Sequence, residues 1–408
     1  MQKKRSIKII SVVLILMLIC VSITYVKSGN KEVLATTKEF NTESLQDNEH
    51  MHVELDSSGD KIPVPNGYVG SKATGENEID TGYVIYEGEE EVNDSNVEES
   101  QKTRNQYVWI PVPDASEMYG IDANGKKWGK LYDFTTETGN GIDPVTGAKP
   151  LNWNENNGIM KTTKEYGNRE PDGLSVTINP PYDTDSLLNK YNISNSSKHN
   201  FLIEMEQEFN DMIESLKRYG GFYIGRYETG NISKLNPVIR KGNIDITSQT
   251  WYNLYEKCQK LNNNNTNIVT GIIWGNQFDR TLMWLIESRN KTKEEVSNNS
   301  LSWGNYKNAT FQYIDENGML KEKREGIGIL IPTGNSEYTK ANNIYDLAGN
   351  VTDWTMEAGN VNGRSGRGNH YQDSITNVYA SFRYASIPND VNYRKRMSSY
   401  VIYKVNKR

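Results

Sequence analysis

Apolar positions fall in three patterns along the chain, and the first is an uncharged run from Ile9 to Val26 behind the basic start MQKKRSIK. Its roughly 18 residues reach the lower limit for spanning a bilayer, which gives this segment the layout of a signal anchor. Lys3, Lys4, Arg5 and Lys8 stay on the cytoplasmic side under the positive-inside rule, so everything after Lys27 is expected outside. No small-residue cleavage site follows, and Leu18-Ile19 rather than a small residue precedes Cys20. An uncleaved transmembrane helix over residues 9–26 and a single-pass, extracytoplasmic protein at the cell membrane are therefore expected; cleavage would make the protein secreted. A polar, weakly patterned tether, 28–56, follows the anchor segment 1–27.

The second pattern is helical. Phe201, Met205, Phe209, Met212, Ile213 and Leu216 recur at helix spacing, and Gly220-Gly221 ends the run. Trp251, Leu254, Tyr255, Cys258 and Leu261 share one face of a second helix, so Cys258 is expected in core. Phe278, Leu282, Leu285 and Ile286 mark one side of a third, from Asn276 to Ser288. The third pattern is short and β-like: KIPVPNGYVG, TGYVIYE, YVWIPVP and FYIGRYE are bounded by proline or glycine. Between them, about 114–197 is rich in Gly, Asn, Pro and Thr and reads as an insertion. The mixture predicts an α+β, irregular, loop-rich domain over 57–408, with no internal repeat.

Charge narrows the function. The 52 acidic residues slightly outnumber the 46 basic ones, and no basic stripe follows the N-terminus, so no nucleic-acid partner is expected. With two cysteines, Cys20 and Cys258, a disulfide framework is excluded outside the cell, and core packing or a metal must hold the domain. His50 and His52 form an H-x-H pair without a third ligand, and His199 and His370 lack any hydrolase context.

The densest chemistry lies in NIYDLAGNVTDW, Asn343 to Trp354. Asp346 and Asp353 are hard oxygen ligands, and Gly349-Asn350 permits a backbone reversal that turns carbonyls toward one point, as in a calcium loop. The same residues also suit a plain turn between strands, with Trp354 filling core.

This segment resembles the signature of the formylglycine-generating enzyme family, the sulfatase-modifying factor domains. Other segments resemble family landmarks in the same order: GGFYIGRYETG (Gly220 to Gly230), VTGIIWGNQFDRTLMWL (Val269 to Leu285), SWGNY (Ser302 to Tyr306) and RGNHY (Arg367 to Tyr371). The resemblance implies a C-type-lectin-like fold with its core at about 220–408. It also implies a structural calcium held by the side chains of Asp346 and Asp353 and the carbonyls of Gly349 and Val351. Asp353 stands where the family usually has Glu, Asn369 where a second glycine usually follows, and Met397 to Val405 looks like a degraded closing strand. The family's copper chemistry uses a cysteine pair near the C-terminal end, where this chain reads ASFRYASIPNDVNYRKRMSSYVIYKV, so no copper and no catalytic residues are expected.

The expected function is a membrane-anchored, extracytoplasmic binding protein for an unknown surface ligand, a protein, peptide or glycan. Tyr371, Tyr379, Arg383, Tyr384 and Tyr393 are candidate contacts, each of which suits strand core equally well. The alternatives are a metal-dependent oxidase of the same family and a structural or adhesin component of the cell surface.

Overall fold

A computed structural model describes residues 44–121, 127–131, 195–230, 237–244, 250–358, 364–374, 378–386, 395–397 and 399–403, which form an α+β arrangement of small, mostly antiparallel sheets. The expected membrane segment 9–26 lies outside the described residues, as does most of the expected insertion. Among the described residues no helix is long and apolar enough to cross a membrane.

The chain first forms a hairpin, β1 (Met51–Leu55) against β2 (Lys61–Pro65). This corrects the tether at its C-terminal end. Alternation of Met51, Val53 and Leu55 with His52 and Glu54 lets the segment pair, and Met51 is buried. Glu54 fastens the hairpin: its carboxylate accepts from Gly70 N (2.9 Å) and Tyr83 Oη (3.0 Å) and lies 3.0 Å from His52 Nε2.

The largest sheet has six strands. β3 (Tyr68–Gly70), β4 (Val84–Glu87), β5 (Gln106–Pro111), β8 (Gly221–Gly225), β18 (Ser399–Tyr403) and β9 (Ile268–Ile272) lie side by side in that order, every pair antiparallel. The segment expected to be a degraded closing strand thus pairs on both edges of β18. Between β4 and β5 runs α1 (Val97–Thr103), and β6 (Tyr119–Ile121) pairs with β7 (Lys127–Gly129) within the expected insertion.

Three longer helices cover the sheet. In α2 (Asn195–Tyr219), Met205, Phe209, Met212, Ile213 and Leu216 are all buried, as their spacing predicts. Gly220 ends it at φ +74°, its amide returning to Leu216 O (2.8 Å), and the chain turns directly into β8. α3 (Trp251–Gln259) starts where Thr250 Oγ1 accepts from Asn253 N (3.1 Å), and it buries Cys258 as core. α4 (Gly275–Glu287) departs from its one-sided pattern: every residue from Gly275 to Ile286 is buried, including Asp279 and Arg280. Those charges are enclosed because partners meet them; Arg280 forks onto Glu287 at 2.9 and 2.6 Å.

After α5 (Lys293–Ser297), β10 (Phe311–Ile314) and β11 (Leu320–Lys323) form a hairpin, and β12 (Lys340–Ala341) pairs with β13 (Ile344–Tyr345). A second sheet runs β16 (Arg383–Ser386), β15 (Arg364–Arg367), β14 (Thr352–Ala358), β17 (Lys395–Met397), with only β14 and β17 parallel.

Two glycines with similar backbone angles separate strain from crowding. A Cβ on Gly82 (φ +98°) would strike Asn342 O, whereas one on Gly59 (φ +91°) would meet nothing within 4 Å. Gly82→Ala should cost about 3 kcal/mol and Gly59→Ala about 1–2 kcal/mol in urea unfolding. A second outcome concerns pH. The Glu54 hydrogen bond raises the His52 pKa above 6.5 against the opposing effect of burial, with Asn66 and Asp47 adding to it. The stability it adds is complete below pH 6.5 and is lost as pH rises through the raised folded value. The melting-temperature gap between the wild type and His52→Gln should therefore close from pH 6 to pH 8.5, and a pH-independent gap would refute the assignment.

Candidate functional site

The chain enters the loop 343–354 through two left-handed residues, Asn342 and Asn343, at φ +43° and +65°. Asn343 Nδ2 donates to Gly75 O (2.6 Å) and Gly82 O (2.9 Å), which pins the loop to the segment before β4. Asp346 is also left-handed (φ +61°) and fully buried. Its Oδ2 accepts from Thr333 Oγ1 and from Gly334 N, both at 2.9 Å. This carboxylate braces a neighbouring turn rather than its own backbone.

Gly349 (φ +76°) lies against Asn305, whose carbonyl occupies the place of a Cβ, so only glycine fits. Asn350 is the centre of the loop. Its Oδ1 accepts from Asn305 Nδ2 (2.8 Å) and Ile331 N (3.2 Å), while its Nδ2 donates to Glu228 Oε2 and Ile331 O. Glu228 Oε1 also accepts from Val351 N (3.2 Å), and Glu228 N donates to Thr333 Oγ1 (3.0 Å). Both the amide and the carbonyl of the buried Asn350 side chain, and both oxygens of Glu228, thus meet partners of the opposite kind.

Asp353, the second residue of β14, has its backbone in register with Arg367 on one side and with Arg396 on the other. A Cβ added to Gly368 would lie 2.8 Å from Leu347 O and 3.9 Å from Asp353 Oδ2. Leu347 O thus occupies the place of a Cβ at Gly368, which sits at φ +79°. The donors from Thr333 and Gly334 engage only Oδ2 of the two Asp346 carboxylate oxygens. Among the described residues no group of three His, Cys, Asp or Glu side chains converges.

The loop is clamped from behind by charge. Arg367 Nη1 donates to Glu357 Oε2 (2.8 Å), its Nη2 to Asp279, and its guanidinium lies 4.7 Å from the Phe278 ring centre. Arg226, on leaving β8, meets Glu76 at 2.7 Å and also donates to Tyr86 Oη (3.0 Å) and Gln106 Oε1 (3.1 Å).

The aromatic candidates scatter. Tyr371 is only 5% exposed, its amide donating to Asn350 O (3.0 Å), so it joins the core of the loop. Tyr379 is half-buried, edge-on to Phe382 at 5.4 Å. The backbone of Arg383 and Tyr384 pairs with Arg367 and Gly366, and Tyr393 lies outside the described residues. Of the two cysteines, Cys258 is core and Cys20 lies outside the described residues.

A groove of about 1270 Å³ lies elsewhere, between α1, residues 241–243, the β10–β11 hairpin and residues 334–338. The hairpin buries Phe311, Tyr313 and Lys323 inward and leaves the cross-strand pair Ile314 and Leu320 outward, 38% and 62% exposed. Glu98, Asp315, Glu316 and Glu337 outnumber Lys102 and Lys241 along its walls. The alternation in FQYI and LKEK about Asn317-Gly318 is a hairpin signal that could have located one wall. The remaining walls are far apart in the chain, and nothing local joins them.

Neither the family models nor the curated proteins searched give a match to this chain.

Arg367→Met should destabilise the protein by roughly 3–5 kcal/mol, because Asp279 and Glu357 remain buried without their cation. Arg367→Lys should recover only part of that in denaturant unfolding, since one ammonium cannot reproduce a planar two-sided fork.

Proposed function

We propose that this chain is a membrane-anchored, extracytoplasmic binding protein whose main domain has the formylglycine-generating-enzyme, C-type-lectin-like fold without the copper chemistry. One observation carries the reading: the segments that resemble family landmarks interlock through buried polar groups. Glu228 of GGFYIGRYETG bonds Asn350 and Val351 of the loop, Asn305 of SWGNY bonds Asn350, and Arg367 of RGNHY pairs with Asp279 of the helix landmark. Segments scattered over about half a chain meet this way when they form one functional core.

Calcium is the proposed structural ion, held by the side chains of Asp346 and Asp353 with the carbonyls of Gly349 and Val351. Through its Oδ2, Asp346 also braces residues 333–334. A bound calcium neutralises the enclosed carboxylates and ties the start of β14 to the loop. The ligand-binding face is the acidic groove with Ile314 and Leu320 on its wall, since Tyr371 is spent on packing. Its mixed lining, apolar in the middle and amide- and acid-rich at the edges, suits a protein, peptide or glycan better than a small apolar molecule.

The test is elemental analysis and calorimetric melting of the purified full chain in mild detergent, with and without chelator. The expected result is near-stoichiometric calcium whose removal lowers the melting temperature, with the calcium-dependent increment lost in Asp353→Asn. Asp346→Ala should lower the melting temperature with or without calcium. Stoichiometric copper or iron would overturn the binding-protein reading in favour of an oxidase.

A further inference from the structure

The β10–β11 hairpin is closed on one edge and open on the other. Ile314 N donates to Asn335 O (2.9 Å) and Ser336 Oγ to Gln312 O (2.6 Å), so residues 335–336 cover the free side of β10. Leu320 pairs opposite Ile314 and Glu322 opposite Gln312, and in an antiparallel ladder both members of such a non-hydrogen-bonded pair turn their backbone groups away from each other. The amides and carbonyls of Leu320 and Glu322 therefore point outward from β11. Among the described residues none of the four takes a hydrogen bond.

The open edge is held extended from within. Lys323 is buried with its ammonium on the carbonyls of Tyr306 and Ala309, and Phe311 stacks on Tyr338 with 4.6 Å between ring centres. A partner strand would thus meet a preorganised template. Apolar surface also collects here. Of the large apolar side chains left exposed among the described residues, Ile314, Met319, Leu320 and Ile327 belong to this hairpin or closely follow it, while Leu55, Ile121 and Ile244 lie elsewhere. Single exposed apolar residues need no explanation, but a cluster beside an unpaired edge marks a contact surface.

Charge selects the occupant. Lys321 is exposed, 3.7 Å from Asp315 Oδ2, and the exposed Glu322 accepts from Arg324 Nε (3.0 Å); these are weak surface pairs that an incoming charge can join. A second copy of this chain fits poorly. Antiparallel self-pairing that uses both Leu320 and Glu322 centres on Lys321, which sets two lysines face to face and Leu320 against Glu322, and like charges directly opposite are unfavourable.

We propose that the outer edge of β11 binds an extended peptide as an added antiparallel strand, with an apolar residue opposite Leu320, an acidic one opposite Lys321 and a basic one opposite Glu322. Main-chain hydrogen bonds supply the attachment and the alternating side chains the selectivity. This edge shares Leu320 with the groove but neither α1 nor residues 334–338, and it does not depend on the calcium loop.

The probe is the peptide acetyl-Thr-Thr-Lys-Glu-Val-Ile-Thr-amide, titrated calorimetrically into the full chain in mild detergent. It should bind, and exchanging its Lys and Glu should weaken binding about tenfold. An N-methyl group on the Val nitrogen, which faces Leu320, should abolish binding; one on the Glu nitrogen, which faces away from β11, should leave it within about twofold. Lys321→Glu should lose about tenfold for the original peptide and bind a version with Lys in place of Glu better than the wild type does. Because the N-methyl contrast lies in the peptide, it decides the matter even if that variant fails to fold. Equal weakening by the two N-methyl groups, as side-chain seating in the groove would give, overturns the proposal. So does indifference to the charge exchange, or no binding up to roughly 5 mM. A dimer of the full chain in sedimentation that the peptide dissociates would overturn it in favour of a second copy.

Discussion

Glu228 is the interaction on which the loop 343–354 depends. One carboxylate, just past the end of β8, holds the Asn350 side chain and the Val351 amide, while its own backbone amide reaches Thr333 and through it Asp346. The largest sheet, the 333–334 turn and the loop are thereby joined within a single buried hydrogen-bonded group. Several groups in it carry or share charge, so its bonds are of the stronger kind, and losing any one partner would leave another buried without compensation. That asymmetry makes the arrangement all-or-none.

Arg226 and Arg367 extend the same logic to both sides. Arg226 ties β8 to Glu76 and the neighbouring strands, and Arg367 ties β15 to α4 and to β14. Enclosing such pairs costs desolvation that their attraction only partly returns, so their contribution lies more in registering one element against another than in net stability. Lys323 shows the same device without a carboxylate. Its ammonium donates to the carbonyls of Tyr306 (2.6 Å) and Ala309 (2.7 Å), and burial pushes its pKa down to about 8. The β10–β11 hairpin is thus fastened on its inner face, which leaves the outer face of Ile314 and Leu320 to line the groove.

The groove has more acids than bases around the apolar pair Ile314 and Leu320. Its lining includes none of the aromatic residues near the C-terminus, where the Tyr371 amide supports the loop at Asn350 O. A large aromatic surface in composition therefore does not translate into an aromatic contact face; most of it is consumed in packing.

By itself the sequence determined the local elements whose cause is local. The faces of α2 and α3, the glycine stop at Gly220 and the core role of Cys258 follow from helical spacing and from a residue that tolerates positive φ. The turn chemistry of Asn343 to Trp354 was legible for the same reason. Tertiary structure alone decided what Asp346 holds, because a carboxylate accepts equally from a metal, its own backbone or a distant turn, and only packing brings Thr333 and Gly334 to it. It likewise enclosed the polar side of α4, drew Met51–Leu55 out of the expected tether into a hairpin, and assembled the groove from segments far apart in the chain. Periodicity reports which face of an element is apolar; the identity of the partner that meets a buried charge is a long-range fact, and no local pattern encodes it.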